Sequence, residues 1–336
     1  MFENSRGIAP LNWQALVDEA LRRRKAEGLT QREHAALASV SVPTIAAFDR
    51  AEQTLTLTKA FDILRVVGLI EHEAEDGAQN AFVQESFKRW RALVDTLPAD
   101  SPGRFPNGWY RIDYCLEGDL RNVSLTEFED ILRRAVTRHT GWPVFMVMTR
   151  PELAPREIDG AIECWLAPSS DEVERAFGDA AHADFWRALP SGRLFLMRGY
   201  QEDGQDTFAP GAIFDTSLPV WRLGEGLLHA EKLASLLRNN DETHLTVRFR
   251  AIYTGLTGRV LRSWATPMSD LLVEGHAARS DEAVLEVTVP AENITGRLAE
   301  HLFPMISSLY ERFGVTGLSV GRVKAETDRL LNSRIS

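Results

Sequence analysis

Two adjoining helix starts constrain this chain more than any other feature. Thr30, with Glu33 three residues on, forms a capping box, and Ser41 with Pro43 in the following turn is a second N-cap. The interval between them holds one short helix, Gln31 to about Ala38, and a tight turn at Ser39-Val40; the second helix runs to about Ala51. Helices this short are marginal alone and must be held by packing, and Ala35, Val40, Ile45 and Phe48 stand where the two must bury against each other. Upstream, Trp13, Leu16, Val17, Ala20 and Leu21 recur on one helical face between a cap at Asn12 and a stop at Gly28. The last turn of that helix holds Arg22, Arg23, Arg24 and Lys25, where cations suit the dipole. Downstream, Ala60, Phe61, Ile63, Leu64 and Val67 form a further helix that stops at Gly68. An all-helical head over residues 1–72 follows.

The run Leu29-Thr-Gln-Arg-Glu-His-Ala-Ala-Leu-Ala-Ser-Val-Ser-Val-Pro-Thr-Ile-Ala-Ala-Phe-Asp-Arg50 resembles the Xre/Cro-repressor family of bacterial helix-turn-helix domains, over residues ~13–70. The resemblance implies double-stranded DNA as partner and transcription regulation as function. It places Thr30 and Gln31 at a helix N-terminus beside a phosphate, and Ser41, Val42, Pro43, Thr44 and Ala47 on the helix that reads the major groove. Thr44 is the residue for base edges or a thymine methyl. Arg50 is open to a phosphate, Asp49 or Glu52, and Arg23 and Arg24 to phosphates. Val42 and Ala47 stand where the family often has a basic or amide residue. Ser39 and Ala51 stand where it favours glycine. A good bidentate base contact discriminates by ~1–3 kcal/mol, while specific sites need ~4–10 kcal/mol over non-specific DNA. One such head falls short, so a homodimer reading two half-sites is expected.

Charge restricts where DNA contact is made. The chain carries −10 overall, but residues 1–70 sum to +1 and the remaining 266 to −11. An acidic body repels phosphates, so the head must make the contact. Met1 to Gly7 shows no apolar leader core, the longest apolar run is about six residues against the ~18 of a membrane span, and the two cysteines (Cys115, Cys164) build no disulfide framework. A cytoplasmic, nucleoid-associated protein without membrane contact is expected.

Residues 73–108 read as a linker: a polar stretch to 82, an amphipathic connecting helix carrying Phe87, Trp90, Leu93 and Val94 that suits a dimer contact, and a Pro/Gly-rich boundary over 98–108. From 109 to 336 strand-like and helix-like segments interleave, so the fold class is α+β or mixed α/β, possibly in two subdomains. Strands are predicted at 109–116, 143–148, 160–166, 193–198, 243–253 and 284–289. Helices are predicted from Leu125, near 171–177 and 182–189, over 223–237, and over 292–313 interrupted at Pro304.

The body lacks a phosphate-binding glycine loop, a nucleophile elbow, a zincin pair and a dinucleotide fingerprint. No catalytic residue, cofactor or metal is assigned, and the protein is read as no enzyme. Gly224-Glu-Gly226 opens a helix, or holds an anion there. Asp184, Glu225 and His229 are residue types that ligate metals. Polar groups interleaved with aromatics give the stronger signal: Trp186, Arg198, Trp221 and Arg222 are candidates for an aromatic-lined pocket in which Arg198 or Arg222 grips an anionic ligand. The alternative for the tryptophans is core. The strings Thr140-Gly-Trp-Pro143, Asp184-Phe-Trp186 and Leu218-Pro-Val-Trp-Arg222 are loosely similar to an uncharacterised bacterial module found with Schlafen-type or other DNA-binding domains, which implies a sensor or effector body. The reading is a transcription regulator whose body senses a ligand or mediates assembly. Its alternatives are a co-regulator recruited through RNA polymerase or another DNA-bound protein, and an enzyme or defence effector that uses the head for targeting.

Overall fold

A computed structural model describes residues 12–70, 74–166, 179–204, 206–267, 269, 271 and 273–333. The chain forms two compact units, Met1–Ala78 and Gln79–Ser336. This division lies between the expected boundaries at 72 and 108. Among the described residues no helix is long and apolar enough to cross a membrane.

The first unit contains α1 (Trp13–Ala26), α2 (Gln31–Leu37), α3 (Val42–Asp49) and α4 (Leu57–Val66). Each start is capped by its own side chain: Asn12 accepts from the amide of Ala15, Thr30 from Glu33, Ser41 from Thr44 and Thr56 from Lys59. The Glu33 carboxylate returns a bond to the Thr30 amide at 2.8 Å, which completes the capping box. All four helices end alike, on one residue in the left-handed region whose successor's amide reaches back to a carbonyl of the last turn. Gly28 and Gly68 fill that position after α1 and α4, but Ser39 (φ 54°) and Ala51 (φ 55°) fill it after α2 and α3. Val17, Ala35, Ile45, Phe48 and Ile63 form the core. Trp13 packs edge-on against Phe48 and donates its indole N–H to the Ala51 carbonyl at 3.0 Å.

The second unit is built on an antiparallel sheet. In chain order, α5 (Ala74–Val94) leads to β1 (Trp109–Glu117), α6 (Leu125–Ala135), β2 (Arg156–Ile158), β3 (Ala161–Trp165), β4 (Phe185–Leu189) and β5 (Arg193–Gly199). Then come β6 (Ile213–Asp215), α7 (Leu218–Leu237), β7 (Thr246–Tyr253), β8 (Val260–Arg262), β9 (Ala283–Pro290), α8 (Leu298–Glu311) and α9 (Val320–Asn332). Seven strands order as β2-β3-β4-β5-β1-β7-β9, every neighbour antiparallel, and β6 and β8 form a separate parallel pair. The architecture is therefore α+β rather than a parallel, doubly wound sheet. One face carries Ile112, Tyr114, Leu196, Phe249 and Ala251 into a core shared with Leu223, Leu227 and Ala230 of α7 and Leu302, Ile306 and Leu309 of α8. The other face mixes buried apolar side chains, Phe185, Phe195 and Met197 among them, with ion pairs. Asp113 pairs with Arg111 and Arg250, and Arg187 pairs with Glu85 of α5.

Several sequence expectations give way here. Residues 74–82 are helical, and Phe82, Val83, Phe87, Trp90 and Val94 of α5 are buried. Trp90 stacks on Phe105 and Phe87 meets Trp109, so this segment is body core and offers no apolar face for a dimer. Residues 143–147 are buried and Met148 half-buried, but 143–148 form no strand; their apolar run fills core from an irregular path. Residues 185–189 form β4, not a helix, because Trp186 and Ala188 alternate with Arg187 across the sheet. The expected piece at 171–177 lies outside the described residues. Helix α7 starts at Leu218, so Gly224 and Gly226 lie inside it. A Cβ on Gly226 would meet the Phe249 ring at 2.8 Å, and one on Gly224 would meet Leu330 at 2.8 Å. These glycines let the helix approach the sheet and α9, and hold no anion. Pro304 sits inside α8 without ending it; the burial of Leu302, Met305 and Ile306 offsets its missing N–H.

Candidate functional site

In the first unit the groups expected at a nucleic-acid surface are engaged with each other. Asp49, at the end of α3, receives the Arg24 guanidinium through two bonds of 2.9 and 2.8 Å and the Gln31 amide at 2.7 Å. Arg23 donates to the carbonyls of Val67 and Gly68 at 3.0 and 2.7 Å and to Glu19 at 2.8 Å. Arg50 pairs with Glu52 at 2.7 Å. Arg23 and Arg24 thus close the fold of this unit rather than stand ready for phosphates. The Thr30 hydroxyl is used by its cap. On α3, Ser41 and Thr44 share a 2.8 Å hydroxyl contact. Ser41, Pro43 and Arg50 are exposed, while Val42, Thr44 and Ala47 are half-buried. This face is small, neutral and only lightly polar.

The second unit holds a pocket where β1 begins and β5 and β7 end, beside the first turn of α7. Strand register builds it: Tyr110 of β1 stands opposite Arg198 of β5 on one side and Tyr253 of β7 on the other. The segment after β5 adds Tyr200, Gln201 and Glu202, β6 adds Phe214, and α7 adds Leu218, Pro219 and Arg222. It is small: about 20 Å³ of water-accessible space, room for about one water molecule. The rings of Tyr110 and Tyr253 stack at 5.6 Å, and Phe214 meets Tyr253 edge-on at 5.7 Å.

Three arginines surround this pocket, each matched to a carboxylate. Arg198 uses every donor it has. Its Nε reaches Asp184 at 2.6 Å and its Nη2 also binds Asp184; the rest go to the carbonyls of Pro143 and Trp142 and to the Tyr110 hydroxyl. It has nothing left for an anionic ligand. Arg222 differs. Its Nη1 serves Thr140, the Trp142 carbonyl and Glu225, and its Nη2 serves Gln201 at 2.9 Å. The Nε hydrogen and one Nη2 hydrogen have no partner among the described residues. Arg259 binds Asp203 and lies 4.1 Å over the Tyr200 ring.

Two further groups belong to the pocket. Tyr253 is 2% exposed, and its hydroxyl has no hydrogen-bond partner among the described residues. Burial pushes its pKa well above the usual 10, so it remains a donor. Glu202 is 4% exposed and accepts the Asp215 amide at 3.0 Å. Burial, reinforced by the Asp215 charge and opposed by Arg259, pushes its carboxyl up to about 7. Asp215 accepts from the amides of Ser217, Leu218, Trp264 and Ala265 and from the Ser217 hydroxyl.

The tryptophans are placed elsewhere. Trp186 is fully buried and donates to the Met146 carbonyl at 3.0 Å; Trp221 donates to Glu326 of α9 at 3.1 Å. Both pack, and neither lines the pocket. Asp184, Glu225 and His229 do not converge on a metal position either. Asp184 is spent on Arg198, Glu225 on Thr140 and Arg222, and His229 meets the Tyr114 hydroxyl through Nδ1 at 2.7 Å. Comparison with protein-family models, curated proteins and solved structures finds no match to this chain.

Proposed function

We propose that the chain is a DNA-binding transcription regulator whose second unit binds a small effector. The α2–turn–α3 pair carries this reading. Two capped helices of 7 and 8 residues meet through a left-handed turn at Ser39 and present the first turn of α3, with Ser41, Pro43 and half-buried Thr44, to solvent. That is the layout a recognition helix needs to enter a major groove. The neutral face and the engaged arginines leave little affinity in one head, which favours a homodimer on paired half-sites. The body is read as binding rather than catalytic, because the pocket's arginines are held by carboxylates instead of activating a nucleophile.

The test is selection of genomic DNA fragments by the full chain at low salt, followed by titration against salt. Retained fragments sharing a paired motif are expected, with log affinity falling linearly in log salt, and Thr44→Ala should lose the motif while leaving helix content unchanged. Retention of no fragment at 50 mM-range salt overturns the reading.

One observation favours recruitment through RNA polymerase or another DNA-bound protein instead. Leu57 and Phe61, one turn apart on α4, are 71% and 39% exposed. Chromosomal occupancy that survives Gln31→Ala with Thr44→Ala, but is lost on Leu57→Ser with Phe61→Ser, would select that reading.

A further inference from the structure

We propose that β9 is the surface through which two copies of this chain dimerise, their sheets joined edge to edge with β9 antiparallel to β9 and the two-fold axis at Val287. This deepens the homodimer reading and rests on it, but does not depend on the first unit binding DNA.

The backbone of β9 carries the assignment. This strand closes one end of the sheet, with β7 as its single strand neighbour. Hydrogen-bonding direction alternates along an antiparallel strand. The Ala291 amide donates to the Leu245 carbonyl at 2.8 Å, and the pairs Val289–Val247, Val287–Phe249 and Leu285–Ala251 continue that register. These residues therefore spend their backbone groups on β7. Val284, Glu286 and Thr288 point theirs outward, where no strand meets them among the described residues. Glu286 and Thr288 are exposed, and Val284 and Val287 half-buried. The opposite end of the sheet is β2, only three residues long with Arg156 and Glu157 exposed, short and charged as edges that avoid pairing are. With eight residues and Glu286 as its one charge, β9 lacks that protection.

Charge and the terminal proline select a second copy and its register. Centring the two-fold axis on Glu286 would set two carboxylates directly opposite each other, which is unfavourable. Centring it on Val287 makes as many backbone bonds and sets Glu286 opposite Thr288 of the second copy, each donating its N–H to the other's carbonyl. Val284 then faces Pro290 of the second copy, which lacks an N–H but can accept through its carbonyl. Arg248 of β7 is the register partner of Thr288, and the Arg250 guanidinium lies 4.0 Å from Glu286. Each Glu286 in the joined sheet thus stands in a row between Arg250 of its own copy and, across Thr288, Arg248 of the other. On the core side Val287 meets Val287, and Leu285 meets Val289, so apolar side chains face apolar ones.

The experiment is sedimentation equilibrium of the full chain, without DNA, at micromolar concentration, where the parent should be a dimer. Thr288→Pro deletes an N–H that the fold does not use, a change an edge strand accepts. The variant should keep the parent's circular dichroism and weaken the dimer about 30-fold or more, one bond being lost on each side of the axis. Thr288→Glu faces Arg248 within its own chain but Glu286 of the second copy, so it should weaken the dimer about tenfold, whereas Thr288→Lys should tighten it a few-fold. Val287→Cys sets two thiols opposite each other at the axis, within disulfide range, and should cross-link on mild oxidation; Glu286→Cys, displaced along the strand from its copy, should not. A monomeric parent, parental dimerisation in a folded Thr288→Pro, equal weakening by Thr288→Lys and Thr288→Glu, or no cross-link through Val287→Cys each overturns the proposal. A dimer that survives Thr288→Pro leaves the homodimer reading standing on another surface, and a failure of DNA selection leaves the β9 assignment standing.

Discussion

Glu202→Gln should stabilise the protein at alkaline pH and leave it unchanged in acid. The Glu202 carboxyl rises from an ordinary 4.5 to about 7 on folding, mainly through burial. At about 1.36 kcal/mol per pH unit, that difference amounts to about 3 kcal/mol. The sign follows from proton binding: the folded state holds its proton more tightly than the unfolded chain does. Folding therefore carries no penalty from this group below about pH 4.5, a growing one between 4.5 and 7, and the full one above 7. Glutamine never ionises, and its carbonyl oxygen can keep the 3.0 Å bond from the Asp215 amide. Urea unfolding of the second unit, followed in parallel for parent and variant from pH 4.5 to pH 8.5, should give a stability difference rising from near zero to about 3 kcal/mol in favour of glutamine. A flat difference, or one that favours glutamate at pH 8, would refute the assignment of Glu202 as a buried carboxyl without a matching cation. A gain would also mean that the chain carries glutamate at a cost in stability, as binding sites commonly do.

Three other outcomes are expected. Ala51→Gly relieves a left-handed alanine and should slow amide exchange across α3 by about 1 kcal/mol, whereas Gly28→Ala, whose added methyl would meet nothing within 4 Å, should cost a similar amount by backbone strain alone; equal exchange in both variants would contradict this. Asp49→Ala releases Arg24 and Gln31 and removes a negative charge from the end of α3, so non-specific DNA affinity should rise and the salt slope steepen by about one; unchanged binding in a folded variant would show that these side chains do not reach the phosphates. His229 is held neutral by burial, its pKa lowered to about 3, so the native state gives up stability as pH falls below 6.5, by about 2 kcal/mol at pH 5. His229→Leu should flatten the acid limb of the stability profile, and an unaltered limb would exclude the histidine as its cause.

The head was legible because its signals are local. Thr30, Glu33, Ser41 and Pro43 declare helix starts within a few residues of themselves, and the structure has helices there. The positions at Ser39 and Ala51 were legible too, as glycine-like turns occupied by other residues. The body yielded less because its signals are not local. Residues 143–148 have the apolarity of a strand, and only the donors arriving from Trp186 and Arg198 explain how they are buried without a ladder. Arg198 and Arg222 were picked out by charge among aromatics, and both line the pocket. Which of them retains donors depends on Asp184, Trp142 and Pro143, set by tertiary contact. Tyr253 gave no sign at all and Glu202 only its place in a polar run after Arg198, since a tyrosine ending an alternating strand and an acid in a polar turn are ordinary until strand register sets Tyr253 beside Tyr110.

The carbonyl of Trp142 is gripped from two sides, by Arg222 of α7 at 2.7 Å and by Arg198 of β5 at 3.3 Å. The segment beyond it, 143–148, has no helix or strand of its own, yet Val144, Phe145, Met146 and Val147 are buried. Chain that is irregular in form but enclosed in this way obeys the substitution rules of a core, not those of a loop. Insertions there would push two arginine clamps off their carbonyl and misplace the guanidinium that faces the pocket. In a mutational survey this stretch should tolerate neither length change nor polar replacement, and its pattern of permitted residues should follow that of β5 and α7 rather than that of the turns around it.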